Sequence, residues 1–339
     1  MQASASQMKG FVLAATLVHC LTIACDSRQQ PQRATIDASA APIVVTPAPS
    51  NTSTGTLQVL ASGEDHPKFV ALTPDAVLFT AYEGGVVRRV AKSGGEVTTL
   101  LSDLEDPYGI ALAEDGETVA FATRATRAGG GGIWRGVANG RAKRLRIASE
   151  DFPSAVAIGG DRVAWVTRDS VATLPLRAAP GIAPRVIARK QAGPHGIAMR
   201  DGRVAWSNYH DGTVMIATAN GEPVVAARGL VNPAGIAFAG GEVVVACTGD
   251  GSIRAIGVAP PYGLRTLTAA QPFVTEVAAD ATSVYFTTGA GVVGRVSVAS
   301  GDVVVLARVQ GTPLGIAIDD ASVYWADERS GTVTKRSPR

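Results

Sequence analysis

Between Thr312 and Lys335 the apolar residues fall into three short runs: Gly315-Ile316-Ala317-Ile318, Val323-Tyr324-Trp325-Ala326 and Thr332-Val333-Thr334. Tight polar or Gly-containing turns separate them, the pattern of antiparallel strands in a small meander. The same arrangement recurs down most of the chain. A Val-Ala or Ile-Ala pair ends at Ala71, Ala111, Ala157, Ala198, Ala237, Ala278 and Ala317, with gaps of 40, 46, 41, 39, 41 and 39 residues. Seven four-strand units at this period predict an all-β fold, a seven-bladed β-propeller of four-stranded antiparallel blades.

The first and last copies complete each other. Leu57-Gln58-Val59-Leu60-Ala61 reads as a fourth strand with no copy of its own, while the seventh copy reaches Arg339 without one. Strand 57-61 is therefore expected to close the last blade, so that the ring has no open edge between its first and last blades. Pro and usually Gly introduce the first strand of a copy, as in Pro107-Tyr108-Gly109, Pro194-His195-Gly196, Pro233-Ala234-Gly235 and Pro313-Leu314-Gly315. Pro loses no needed donor there, and Gly permits close backbone approach at a crowded axis. Eight residues beyond the paired Ala stand Phe79, Trp165, Trp206, Phe286 and Trp325, with Val245 in copy five. In copy two Phe121 comes ten residues on, behind a longer turn. These large residues are expected to pack between blades.

Composition adds an address. Lys and Arg total 31 against 29 Asp and Glu, and no basic tract interleaves with aromatics, so no nucleic-acid partner is expected. Residues 1-24 read as a signal peptide, with Lys9 ahead of an apolar run from Phe11 to Ala24 that is short for a membrane span. The run ends in Leu21-Thr22-Ile23-Ala24-Cys25, which resembles a bacterial lipobox, and this implies lipidation of Cys25. Residues 25-55, rich in Pro, Ser, Thr, Ala and Gln, read as a disordered tether. The propeller takes 56-339. The expected location is the cell envelope, facing periplasm or exterior, with membrane contact through a lipid anchor only and a monomeric body. Cys247 lies in an apolar strand and reads as a small buried hydrophobe.

The repeats, and VYWADERSGTV from Val323 to Val333 most openly, resemble NHL and YWTD propellers and the streptogramin-lyase-like bacterial propellers. The resemblance spans Leu57 to Arg336 and specifies architecture more than activity. In such a meander the turn before strand one and the turn between strands two and three share a face, and propellers of this kind place ligands there, at the channel mouth. In register, the residue before the Gly position is Lys68, Tyr108, Ser154, His195, Ala234, Thr275 or Leu314. The Gly position itself holds Phe69, Gly109, Ala155, Gly196, Gly235, Glu276 or Gly315. Glu276 puts a carboxyl where Gly is usual.

Copy four is the richest, adding Asn208, Tyr209, His210 and Asp211 to His195. Two imidazoles and a carboxylate suit a divalent ion or acid–base chemistry, whereas Asp211-Gly212 also reads as a plain turn. The ligand-binding candidates are thus Lys68, Tyr108, His195, Asn208, Tyr209, His210, Asp211 and Glu276. The streptogramin-lyase resemblance implies a catalytic His and a metal-binding Glu. His195 and Glu276 have those residue types, but no motif aligns them position by position. The Glu-Gly-Pro that opens regucalcin and gluconolactonase propellers is absent. A loop from Arg124 to Gly132 holds two Arg and four consecutive Gly without the context of a phosphate loop.

Two functions follow. The first is an envelope-anchored, non-enzymatic binding or scaffold propeller that recognises a protein or glycan on its top face, with no cofactor. The second is a metal-assisted lyase or lactonase of the streptogramin-lyase-like kind acting at the channel mouth, under which a divalent metal is a possible cofactor.

Overall fold

The computed structural model describes residues 54–339 apart from 126–129, 142 and 219–220. Cys25, the signal segment and nearly all of the tether lie outside the described residues, as does part of the glycine-rich loop after Arg124. Within them, seven four-stranded antiparallel sheets form the blades of a ring. The innermost strands are Pro67–Leu72, Pro107–Leu112, Val156–Gly159, Pro194–Arg200, Pro233–Ala239, Val274–Ala279 and Pro313–Ile318. The expected fold is the observed one.

The sequence repeat has a direct physical meaning. Its Val-Ala or Ile-Ala pair lies within every innermost strand. Val70, Ile110, Val156, Ile197, Ile236, Val277 and Ile316 make a collar of β-branched side chains around the axis, followed by a ring of seven Ala. Six of the collar residues keep only 7–8% of their surface, so the collar leaves little wall to water. Further out, Phe79, Phe121, Trp165, Trp206, Val245, Phe286 and Trp325 are all fully buried. Each fills the space between facing blades, which is how a sheet with two apolar faces satisfies both.

Glycine is required where innermost strands meet. A Cβ on Gly196 would come within 2.4 Å of the Ala234 carbonyl oxygen, and one on Gly315 within 2.5 Å of both the Lys68 carbonyl oxygen and Phe69 Cα. The atoms struck are backbone of the next blade and cannot swing aside. Hydroxyls bridge the same seams. Ser207 Oγ accepts from Gly196 N–H at 3.0 Å and donates to the Ala234 carbonyl at 2.6 Å. Thr80 donates to the Tyr108 carbonyl at 2.8 Å and Thr287 to that of Leu314 at 2.7 Å. Gly315→Ala should therefore lower stability by about 1–3 kcal/mol, the usual cost of overpacking, read as a drop in thermal midpoint.

Closure of the ring follows the expected pairing. Strand Thr56–Ala61 lies antiparallel to Thr332–Ser337, with Leu57 opposite Arg336 and Val59 opposite Thr334. Leu60 and Ala61 are buried in a cluster that joins blades 7 and 1 through Tyr324, Ala326, Val70 and Phe79. Leu57 and Val59, by contrast, face solvent on this outer strand.

Cys247 is completely buried, and that burial pushes its thiol up to about 11, so it packs as a hydrophobe.

Candidate functional site: the channel mouth

The loops on the top face are set by one repeated backbone bond. The first residue beyond strand two donates to the carbonyl of the residue before strand one: Tyr82 to His66 at 3.0 Å, Arg124 to Asp106 at 3.1 Å, Tyr209 to Gly193 at 2.9 Å. The same bond joins Thr248 to Asn232 at 3.0 Å, Gly289 to Phe273 at 2.9 Å and Glu328 to Thr312 at 3.1 Å. The two turns do share a face.

Tyr108, Arg124, His195 and Glu276 line one cavity of about 150 Å³ at the mouth, together with collar members Val70, Ile110, Val156, Ile197, Ile236 and Ile316. The cavity thus has polar walls and an apolar floor. Glu276 lies against blade 5: a Cβ on Gly235 would sit 2.6 Å from its Oε2. Burial over this floor raises the Glu276 carboxyl to about 8, so it is protonated at neutral pH. Burial also raises the Tyr108 hydroxyl, while the Arg124 charge pulls the other way. The Arg124 guanidinium lies 3.3 Å from the centroid of the Tyr108 ring. Its Nε is buried without a hydrogen-bond partner.

His195 is enclosed by protein yet remains exposed to the open mouth. Enclosure first, then the charges of Arg124 and His210, lower its imidazole to about 4. Water in the mouth screens part of that effect, but the direction leaves the ring neutral at pH 7.

A continuous arc of rings and cations runs beside the cavity. Lys68 pairs with Glu328 and lies 5.1 Å from the Tyr82 ring centroid. Tyr82 meets Tyr108 edge-on at 6.1 Å, and Tyr108 meets Phe69 at 5.0 Å. Arg124 then reaches Phe152 at 5.1 Å, and Arg168 lies 5.3 Å from the same ring. The arc crosses blades 7, 1, 2 and 3.

The structure brings together some sequence candidates and separates others. Lys68, Tyr108, His195 and Glu276 belong to the mouth or its rim. Tyr209 is half-buried, with His195 at 5.7 Å on one side and exposed His210 edge-on at 5.4 Å on the other. Asn208 is buried and donates to Gln191 and Thr213, both at 3.0 Å, so it holds the blade together. Asp211 accepts from the Thr213 backbone at 3.2 Å and its hydroxyl at 2.8 Å, closing the turn. Among the described residues, His195, His210, Asp211 and Glu276 join no group of three metal-ligand side chains with donor atoms within 4.8 Å. Arg124, read from sequence only as a loop residue, is a wall of the cavity. Its place beyond Thr123, at the end of strand two, in register with Tyr82 and Tyr209, was the available signal.

No family model matches the chain, and no curated protein sequence matches it. Among solved structures, virginiamycin B lyase from Staphylococcus aureus superposes at a TM-score of 0.69 and 17% identity, over 84% of this chain and 99% of that one. A catalytically inactive histidine-to-alanine form of the same enzyme, with quinupristin, gives 0.69 at 16% identity over 84% and 99%. A gluconolactonase from Xanthomonas campestris gives 0.56 at 16% identity over 84% and 90%. At these identities the likeness is one of fold: the chain is a seven-bladed β-propeller whose structural neighbours are propellers of the streptogramin B lyase kind.

Proposed function

We propose that this protein is an envelope-tethered binding propeller, held through lipidated Cys25, that recognises a protein or glycan on its top face. One oxygen-bearing group of that ligand seats in the channel mouth. The size and lining of the mouth cavity carry this reading. At about 150 Å³ it is smaller than the roughly 300–1,000 Å³ that enclose a small-molecule ligand. It has room for one group of a larger ligand lying across the face. Its polar walls offer donors: the Arg124 guanidinium with its unpartnered Nε, and the protonated Glu276. The aromatic and cationic arc beside it supplies a platform for the rest of the ligand.

The test is binding of wild-type, Arg124→Ala and Glu276→Leu proteins to arrays of envelope glycans and envelope proteins. A specific ligand should lose about tenfold or more in affinity in Arg124→Ala, since a hydrogen bond to a charged group contributes about 1.5–3 kcal/mol. It should lose several-fold in Glu276→Leu, where the lost bond comes from a neutral carboxyl and contributes about 0.5–1.5 kcal/mol. A ligand bound equally by all three proteins would place recognition elsewhere.

One observation favours a second reading. A carboxyl raised to about 8 and an imidazole lowered to about 4 share the mouth, so an acid and a base coexist at pH 7. Metal-independent elimination or lactone opening needs that pair, with His195 taking a proton and Glu276 giving one to the leaving oxygen. The lyase and lactonase names of the structural neighbours point the same way. Turnover of a cyclic ester that survives a chelator and vanishes in His195→Ala would favour this reading over binding alone.

A further inference from the structure

We propose that Asp65, His66 and Glu83 form a binding site for one divalent first-row metal ion, of which zinc is the best-fitting probe. The site lies on the top face of blade 1 and does not depend on the reading of the channel mouth. Asp65 and His66 belong to the segment that leads from the closing strand Thr56–Ala61 into the innermost strand Pro67–Leu72. Glu83 stands in the turn between strands two and three of the same blade. Among the described residues this is the group of three whose donor atoms all lie within 4.8 Å of one another.

The distances favour a shared ion over a simple hydrogen bond. His66 Nδ1 is 3.3 Å from Asp65 Oδ1 and 3.4 Å from Glu83 Oε2. A charge-assisted hydrogen bond draws such atoms to about 2.7–2.9 Å. Ligands held at about 2.0–2.1 Å from a tetrahedral centre stand about 3.3–3.4 Å apart, which is the separation of His66 Nδ1 from each of the two carboxylate oxygens. The two turns are already fixed against each other. The Tyr82 N–H donates to the His66 carbonyl at 3.0 Å, and a Cβ on Gly84 would lie 3.3 Å from Asp65 Cβ. An ion would thus meet a formed cradle.

Charge and access agree with this. Two carboxylates converge on one imidazole nitrogen, and a divalent ion balances their charge. The nearby cations are engaged with other acids, Arg88 with Glu64 at 3.3 Å and Lys68 with Glu328. The side chains of His66, Asp65 and Glu83 are 41%, 60% and 58% exposed, which leaves an entry path and room for water ligands. The imidazole nitrogen favours zinc and its neighbours over calcium or magnesium, which prefer oxygen throughout. No other blade repeats the set. At the three equivalent positions blade 2 has Glu105, Asp106 and Ala125, and blade 4 has Ala192, Gly193 and His210. The ion would pin the chain leaving the closing strand to the first blade, and so reinforce the ring.

Calorimetric titration of the full chain with zinc tests the site, using wild-type, His66→Ala, Glu83→Gln and His210→Ala proteins, each checked for an unchanged circular dichroism spectrum. The expected result is a zinc-binding step of one ion per chain in the wild type and in His210→Ala. That step should weaken by about tenfold or more in His66→Ala and in Glu83→Gln, with a zinc-dependent rise in thermal midpoint that those two variants lose. Equal binding by wild type and His66→Ala, or no zinc-dependent change in wild-type melting, would overturn the proposal.

Discussion

A chain that begins at Glu64 is expected to melt far below one that begins at Thr54, or to associate through its open edges. The lost strand Thr56–Ala61 pairs with Thr332–Ser337 over the register from Thr56–Ser337 to Ala61–Val333. About four ladder hydrogen bonds at ~0.5–1.5 kcal/mol each contribute about 2–6 kcal/mol. Burying Leu60, which keeps only 5% of its surface, adds about 1.5–3 kcal/mol. Set against a typical stability of about 5–15 kcal/mol, this is a large share. Leu57 and Val59 contribute little, since both stay largely in solvent, so Leu57→Ser and Val59→Ser should leave the melt almost unchanged. Thermal melts with light scattering distinguish the outcomes. Equal midpoints for the two chains would mean that the ring does not rely on this strand.

The second large effect is a pH-dependent loss of stability caused by Glu276. Its folded value of about 8 lies above the ordinary 4.5, so the folded protein holds a proton that the unfolded chain releases between these values. The stability gained from that neutral carboxyl is fully present below about pH 4.5 and is lost as pH rises through about 8. The shift corresponds to about 5 kcal/mol at most, and water at the mouth reduces the expected loss to about 2–4 kcal/mol. Glu276→Gln removes the titration, so wild type and variant should have similar stability near pH 5 and diverge by pH 9, with the variant more stable. His195 acts in the opposite sense. Its depressed value gives stability that is present above about pH 6.5 and is lost as pH falls through about 4. Denaturant melts of both proteins between pH 5 and pH 9 measure the difference. Parallel curves would mean that Glu276 is ionised and solvated throughout.

The architecture was legible because propeller packing repeats. The (Val/Ile)-Ala pair that makes the period visible is the channel collar itself. The buried aromatic residues and the orphan strand at 57-61 follow from the same repeat. The channel site was only half legible. Glu276 could be found because it breaks the pattern at a position where Gly prevails, and His195 because it is an ionisable residue at the position just before it. Arg124 was legible only as a loop residue in register with Tyr82 and Tyr209, because its reach to Tyr108 depends on the direction of a side chain leaving strand two. Nor could the turn geometry be foreseen. His66, Asp106, Phe152 and Asn232 all precede Pro and all adopt left-handed backbone, with φ between 49° and 54°. The local preference before Pro is extended, and the tertiary bond from the opposite loop overrides it in three of the four, His66, Asp106 and Asn232. The Asp65–His66–Glu83 group was hidden for the same reason. Its members are eighteen residues apart at most and become neighbours only through that turn.

The claim on which both functional readings rest is that the mouth holds a neutral carboxylic acid over an apolar floor. Infrared difference spectroscopy of wild type against Glu276→Gln, followed from pH 5 to pH 10, tests it directly. A protonated-carboxyl band is expected at pH 7 and should disappear with a midpoint near 8. A midpoint near 4.5, or no such band at pH 7, would contradict it: the mouth would then be a wet, ionised surface.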